Sequence, residues 1–473
     1  MTNILHCLAV RQKIFIFSLF LVLPSVFLIL PVSVSAQEYS LEELYRLALS
    51  RSERIKLSEE NLLISKINRD KAFAALIPTL SAVGNYTQYQ EDKKSSTGSI
   101  MQPDYNNSWG LKIEKSLSLS GREFTALQGA TDNIEKNLYD LMSVQEEYLS
   151  SVSESFYSVL QARQAVQIAN ANLERLKKYQ DAAQKRLRIG EVTKTALLRA
   201  NGEVSGALSD QIKAKNRLSM AKVLLARIVG IDNDFDLIDK EFNTNASDAE
   251  VITPQLGMVG KDGQDTSSSI DSETASLPIL QEMAEKNRYE LKSLKAQREM
   301  AEKQIKYTKG ALWPTATVSG VYNRLNQEPK SVSGYNDEAI SASLSLNFPF
   351  YDGGLRRLDI KEAEAQKRQI DLMYRDQEKI IKVEVENAWL DVSAQKSVIK
   401  YLEDQVVFAT NNYYAISKQF EFGLSDSMDI IDANNLLLTS QLKLSDAKYN
   451  YQLSVLKLKR AAGSLLEEVE KQS

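Results

Sequence analysis

Hydrophobic positions along the chain change period several times, and the changes come in two matching sets. Between Tyr39 and Leu76 apolar residues recur at helical spacing (Leu41, Leu44, Leu47, Ala48), and Pro78 ends the pattern, which predicts one opening helix. A short extended segment follows at about 78–90, then the polar loop Glu91 to Gly98, then a second extended segment at about 106–119. There Trp109, Leu111, Ile113, Leu117 and Leu119 share one face, interrupted by Lys115. The clearest alternation lies in the second half. Ile340, Ala342, Leu344, Leu346, Phe348 and Phe350 take one side, and Ser341, Ser343, Ser345 and Asn347 take the other. Period two with one apolar and one small polar face is a strand signal, here at about 314–326 and 338–350.

Two very long helical patterns come next, at about 122–189 and 355–422. Neither contains Pro, and Gly129 is the only Gly inside. At 1.5 Å per residue each would run on the order of 100 Å. Their apolar seams coincide at an offset of 233: Val166, Ala169, Leu173, Leu176, Ala183 and Leu187 align with Ile399, Leu402, Val406, Ala409, Ile416 and Phe420. The spacing is that of a coiled-coil seam. Gly190 and Gly423 break these helices, and shorter ones return to Gly230 and Gly463. The returning helices present Leu197, Ala200, Val204 and Ala207 in one half and Ile430, Ala433 and Leu437 in the other. Ala75-Leu76-Ile77-Pro78-Thr79 likewise returns as Ala311-Leu312-Trp313-Pro314-Thr315. The chain is thus a duplicated helix–strand–strand–long helix–helix unit, at 37–230 and 277–463. A Ser-, Asp-, Thr- and Gly-rich stretch from Ile231 to Ser276 is expected to link the halves, and 464–473 to form a C-terminal tail.

Composition narrows the chemistry. Arg11 and Lys13 precede an apolar run from Ile14 to Leu30, and Val34-Ser35-Ala36 is a small-residue cleavage pattern, so residues 1–36 are expected to be a secretory signal peptide. That segment holds His6 and Cys7, the only His and the only Cys. The mature chain then has no thiol or imidazole for a metal centre, a Cys nucleophile or a His triad, and no enzyme or cofactor site is expected. Losing two cations takes the net charge from −4 to −6, which gives no basic excess for nucleic acid. Beyond the signal segment no apolar run reaches the roughly 20 residues of a transmembrane helix.

Strands supply the other way across a membrane. Four amphipathic strands cannot close a membrane barrel, and an open edge is not tolerated in lipid. Three copies would give twelve strands. Trp313, Phe348, Phe350 and Tyr351 near the helices, and Tyr89, Tyr105 and Trp109 near the loops, sit where interfacial girdles are expected. A secreted structural coiled-coil protein without channel activity is the competing reading. It accounts for the seams but not for strands repeated at a fixed offset.

The residues resemble the outer membrane efflux proteins of the TolC type. The likeness is sharpest at Phe420-Glu421-Phe422-Gly423-Leu424-Ser425-Asp426-Ser427-Met428-Asp429-Ile430-Ile431-Asp432-Ala433 and at Ala447-Lys448-Tyr449-Asn450-Tyr451. The resemblance implies a mainly α protein with a transmembrane β-barrel portion, a homotrimer whose twelve strands cross the outer membrane and whose twelve-helix tunnel crosses the periplasm. It implies an exit duct of a tripartite efflux or type I secretion system, docked on a periplasmic adaptor and an inner membrane pump, for small molecules or polypeptides. It also implies roles. Asp429 and Asp432 would form an acidic ring at the periplasmic mouth, and Arg188, Gly190, Phe422 and Gly423 would lie on the tips that meet the adaptor. The Tyr, Arg and Asp side chains that lock the tip in some members are replaced here by Phe420, Ser425 and Ala196. Arg199, aligned with Asp432 at the internal offset, is a candidate substitute lock.

Overall fold

A computed structural model describes residues 37–98, 100–239, 276–328 and 337–472. The signal segment expected at 1–36 and most of the linker lie outside them. The first half runs β1 (Gln37–Tyr39), α1 (Leu41–Arg51), α2 (Glu53–Ala74), β2 (Thr79–Gln88), β3 (Lys93–Lys94), β4 (Ile100–Gln102), β5 (Tyr105–Ser118), α3 (Arg122–Arg188) and α4 (Lys194–Val229). After β6 (Phe235–Leu237) the second half runs α5 (Leu277–Asn287), α6 (Tyr289–Gly310), β7 (Thr315–Glu328), β8 (Glu338–Asn347), α7 (Leu355–Glu421), α8 (Ser427–Ala462) and α9 (Leu465–Gln472). Paired helices have equal lengths: 11 residues for α1 and α5, 22 for α2 and α6, 67 for α3 and α7, and 36 for α4 and α8.

Four expectations are corrected. The opening helix is two helices, because Ser52 leaves the helical region (φ −62°, ψ 123°) and turns its hydroxyl to the Ile55 N–H as an N-cap. The linker begins as structure: Phe235 and Leu237 are buried, and β6 pairs in parallel with β1. The C-terminal tail contains α9, whose Leu465, Leu466 and Val469 are buried in the same core. The strand expected to reach Phe350 ends at Asn347, two residues before Pro349, which has no N–H to give a ladder.

β2, β5, β7 and β8 form one antiparallel sheet in that order. Its register stacks Leu80, Ile113 and Gly320 with Ala342, then Ala82, Leu111, Tyr322 and Ile340, on one face. Among the described residues nothing packs on that face, and Ile340 is 85% exposed. The opposite face carries a Ser116–Thr317 hydroxyl pair (2.6 Å), a Ser319–Ser343 pair (2.7 Å) and a Lys112–Glu114 ion pair. Lys115, the one cation on the apolar face of β5, sends its ammonium along the sheet to the Ala75 carbonyl at the end of α2. A long amphipathic stem and a polar terminus reached at the helix end explain its place there.

Below the sheet the helices pack in a row. α3 lies between α2 and α6, and α6 lies between α3 and α7. Each long helix pairs with its returning helix, α3 with α4 and α7 with α8, and α3 also contacts α8. The largest core sits halfway along, where α1, α3, α4, β6 and α9 converge on Leu44, Leu149, Phe156, Leu160, Leu225 and Phe235. Its polar contacts are buried too: the Tyr45 phenol meets the Ser153 hydroxyl at 2.5 Å. We call this girdle the belt.

Gly110 in β5 tests the sheet. A Cβ there would stand 2.3 Å from the Tyr322 carbonyl oxygen, whereas one at Gly84 would meet its nearest atom at 3.9 Å. Gly110→Ala should cost about 1–3 kcal/mol through a forced shift of β7. Gly84→Ala should be near neutral, as judged by thermal loss of the β-sheet circular dichroism signal.

Candidate gate and docking tips

Far from the sheet, each helical pair ends in a tight turn. Gly190 (φ 82°) and Gly423 (φ 77°) take the left-handed conformation that closes them, which a side chain would strain. The turns pack side by side on a core of Tyr179, Ala183, Ala200, Ala409, Tyr413, Phe420, Ile430, Ala433 and Leu437. Tyr179 meets Phe420 edge-on, with centroids 5.2 Å apart. Burial pushes the Tyr179 and Tyr413 phenols above their ordinary range.

One residue ties the tips together. Arg186 donates through Nη1 to the Phe420 carbonyl at 2.7 Å and through Nε to Glu191 at 3.0 Å. Its guanidinium also lies 4.8 Å from the centre of the Phe420 ring. It therefore satisfies a C-terminal carbonyl of α7 from the end of α3. Sequence reasoning saw only a basic run here. The available signal was an Arg one position before Leu187, a seam residue.

A second polar link lies deeper. The Arg175 Nε donates to Asn434 Oδ1 at 2.9 Å, and Asn434 Nδ2 donates to Asn172 Oδ1 at 2.8 Å. Asn172 and Asn434 are buried between α3 and α8. Burial lowers the Arg175 guanidinium below its ordinary value.

The expected gate residues divide into two situations. Asp426 caps α8, accepting from the Met428 and Asp429 N–H groups at 2.6 and 3.0 Å. Asp429 closes the capping box by accepting from the Asp426 N–H at 3.2 Å and the Ser425 hydroxyl at 3.1 Å. Its carboxylate is thus engaged in holding the turn. Asp432 lies one helical turn on, exposed beside buried Ile431 and Ala433. Arg199 rests its guanidinium against the Met428 sulfur, in the first turn of α8 and one turn before Asp432. At the turns themselves Arg188 is exposed, while Phe422 (77% exposed), Leu424, Ile189 and Leu198 present apolar surface.

The duplicated helical tips, the row of long helices and the four-stranded sheet together define a known architecture. The sequence profile described as "Outer membrane efflux protein" matches residues 44–231 and 280–464. The chain belongs to this family. It is an outer membrane channel, an exit duct for efflux or secretion, and its family is one of channels rather than enzymes. It is 24% identical to Outer membrane protein TolC of Vibrio cholerae over 87% of this chain and 90% of that protein. It is 22% identical to Outer membrane efflux protein BepC of Brucella suis, over 87% and 81% of the two chains. Among solved structures, the outer-membrane channel OprN superposes with a TM-score of 0.74 at 16% identity, covering 90% of each chain. The outer membrane protein VceC of Vibrio cholerae superposes with a TM-score of 0.73 at 16% identity, covering 89% of this chain and 96% of that one. The competing reading as a fibre-like coiled coil is set aside by the family match.

The Arg186 tie generates a measurable expectation. Arg186→Ala removes a charge-assisted hydrogen bond and a ring contact, roughly 1–3 kcal/mol of coupling between the turns. Spin labels at Lys194 and Leu424 should show a broadened inter-tip distance distribution in that variant. Arg188→Ala, which changes an exposed cation only, should leave it narrow.

Proposed function

We propose that the chain works as a homotrimer, and the carrying observation is the pair of free sheet edges. β2 and β8 are the end strands of the sheet, and among the described residues its apolar face covers nothing. In hydrocarbon every backbone polar group needs a partner, so β8 of one copy pairs with β2 of the next. The helices support the same closure. Besides its return helix, α3 is flanked by both 22-residue helices, α2 and α6, whereas among the described residues α7 packs on α6 but not on α2. By the internal repeat the missing neighbour of α7 is α2 of another copy. Both faces are apolar and bare: Leu358, Leu372 and Met373 on α7, and Leu63, Ile67 and Phe73 on α2. Three copies give twelve strands and a wall of helices long enough, at about 100 Å, to reach far into the periplasm. Light scattering of the detergent-solubilised protein should give three chains per particle. A stable monomer in lipid would sink the proposal.

The exposed tips are the docking ends in this reading. They meet the helical hairpin of a periplasmic adaptor, which in turn engages an inner membrane pump. A Cβ on Gly190 would meet open space, whereas one on Gly423 would stand 3.2 Å from the Arg186 guanidinium. Gly190→Trp and Gly423→Trp should both abolish export while trimers still reach the outer membrane. Gly423→Trp should in addition loosen the tips. Normal export by both variants would remove the tips from the docking role.

Asp429 and Asp432 face the axis at the narrow end and favour cations there. Asp429 is held by its capping box, so Asp432 is the freer charge. Asp432→Asn should therefore weaken cation selectivity and divalent block of single-channel current more than Asp429→Asn. Arg199→Ala should raise resting conductance if Arg199 pairs with Asp432 of another copy. Unchanged selectivity in the double Asn variant would remove both carboxylates from the pore.

A further inference from the structure

The belt holds a buried acid that neither the barrel nor the tips require. Glu146 on α3 is 2% exposed, and its Oε1 has no hydrogen-bond partner among the described residues. The start of α9 lies over it, and the Leu466 backbone N–H donates to the carboxyl group. Leu465, Leu466 and Val469 of α9 seal the site by packing on the belt core.

Charged groups face Glu146 from two of the helices around it. From the start of α6 come Arg288 and Glu290, and from the end of α8 comes Arg460. Arg288 is itself 2% exposed and is committed elsewhere. It clamps Glu290 with two bonds of 3.0 and 2.9 Å and pairs with Glu384 of α7 at 2.9 Å. Burial pushes Glu290 up, yet the Arg288 clamp holds it below its ordinary value, so Glu290 stays charged beside Glu146. The remaining charges near α9 pair with each other, Lys459 with Glu468 at 2.7 Å.

We propose that Glu146 makes α9 a proton-controlled latch: the helix seals on the belt when the Glu146 carboxyl is protonated and loosens when it ionises. The physical reason is linkage. With α9 docked, burial first and then the Glu290 charge raise the Glu146 carboxyl from 4.5 to about 7, and Arg288, Arg460 and the Leu466 N–H offset this only in part. Undocking α9 admits water, and the carboxyl returns toward its ordinary value. The docked form therefore binds the extra proton. Docking is strongest below pH 4.5, weakens as pH rises from there to about 7, and levels off above it. α9 contacts α1, α3 and α8, so the latch joins the long helix of the first half to the return helix of the second.

The test uses the full chain in detergent micelles. Hydrogen–deuterium exchange of the peptide covering 464–472 is measured at pH 6 and pH 8, each corrected for its intrinsic rate. Protection should fall about tenfold from pH 6 to pH 8, one pKa unit being a factor of ten. Glu146→Gln, neutral at both values, should keep the higher protection at both. Equal protection of the wild type at the two pH values would overturn the latch. So would an undiminished tenfold change in Glu146→Gln. If that variant fails to assemble, the wild-type profile decides: a loss of protection that levels off near pH 7 and is confined to the α9 peptide supports the latch. A flat profile, or a loss of the same size in every helix, refutes it.

Discussion

Backbone N–H and C=O groups along the outer edges of β2 and β8 meet no neighbouring strand among the described residues, and in hydrocarbon each would cost several kcal/mol. Closing those edges constrains everything below the sheet. The strands must hand over to helices at the same pitch all around, so paired helices have matched lengths in the two halves. The lipid-facing residues must tolerate exposure to hydrocarbon, which Ile340, Leu344 and Leu346 do. Two cations on that face find partners: Lys115 reaches the Ala75 carbonyl at the helix end, and Arg324 pairs with Glu338 across the register.

The duplication is not symmetric in chemistry, and the differences follow the location of each seam. Where the halves meet inside the protomer, the junction below the sheet is polar and tight. Arg122 stacks 4.2 Å from the centre of the Tyr307 ring, and the Ser120 hydroxyl donates to the Gly310 carbonyl at 3.0 Å. The equivalent positions, Leu355, Lys71 and Ala74, form no such junction, and Leu355 is exposed. Deeper down, Arg175 reaches Asn434, whereas its counterpart Phe408 is exposed. The seam within the chain uses geometry-specific hydrogen bonds, and the seam left open uses apolar area. Apolar area is less directional and suits an association between separately folded chains.

At the tips the same contrast governs mobility. The two turns share an aromatic contact and the Arg186 tie, but most of their surface is solvated. A helix end held by one charge-assisted clamp and a small core opens at lower cost than a densely packed one. The belt is the opposite case. It carries the largest core, an Arg288 paired with both Glu290 and Glu384, and the docked α9.

Period alone determined much of this protein. Alternation in 340–346 and the coincident seams of 166–187 and 399–420 specified strands, long helices and their duplication, because these signals are local and repeat over many residues. The glycine turns at Gly190 and Gly423 were equally legible, and so were Asp429 and Asp432 as acids near a tip. Tertiary structure decided the rest. Nothing in the sequence separates the two carboxylates, yet one closes a capping box and the other stays exposed. The break at Ser52 was hidden inside a continuous apolar pattern, since a capped break of one residue barely shifts the period. Pairing of β6 with β1, the docking of α9 and the burial of Glu146 join residues far apart in the chain. Such contacts depend on which surfaces meet, and a local pattern carries no record of that.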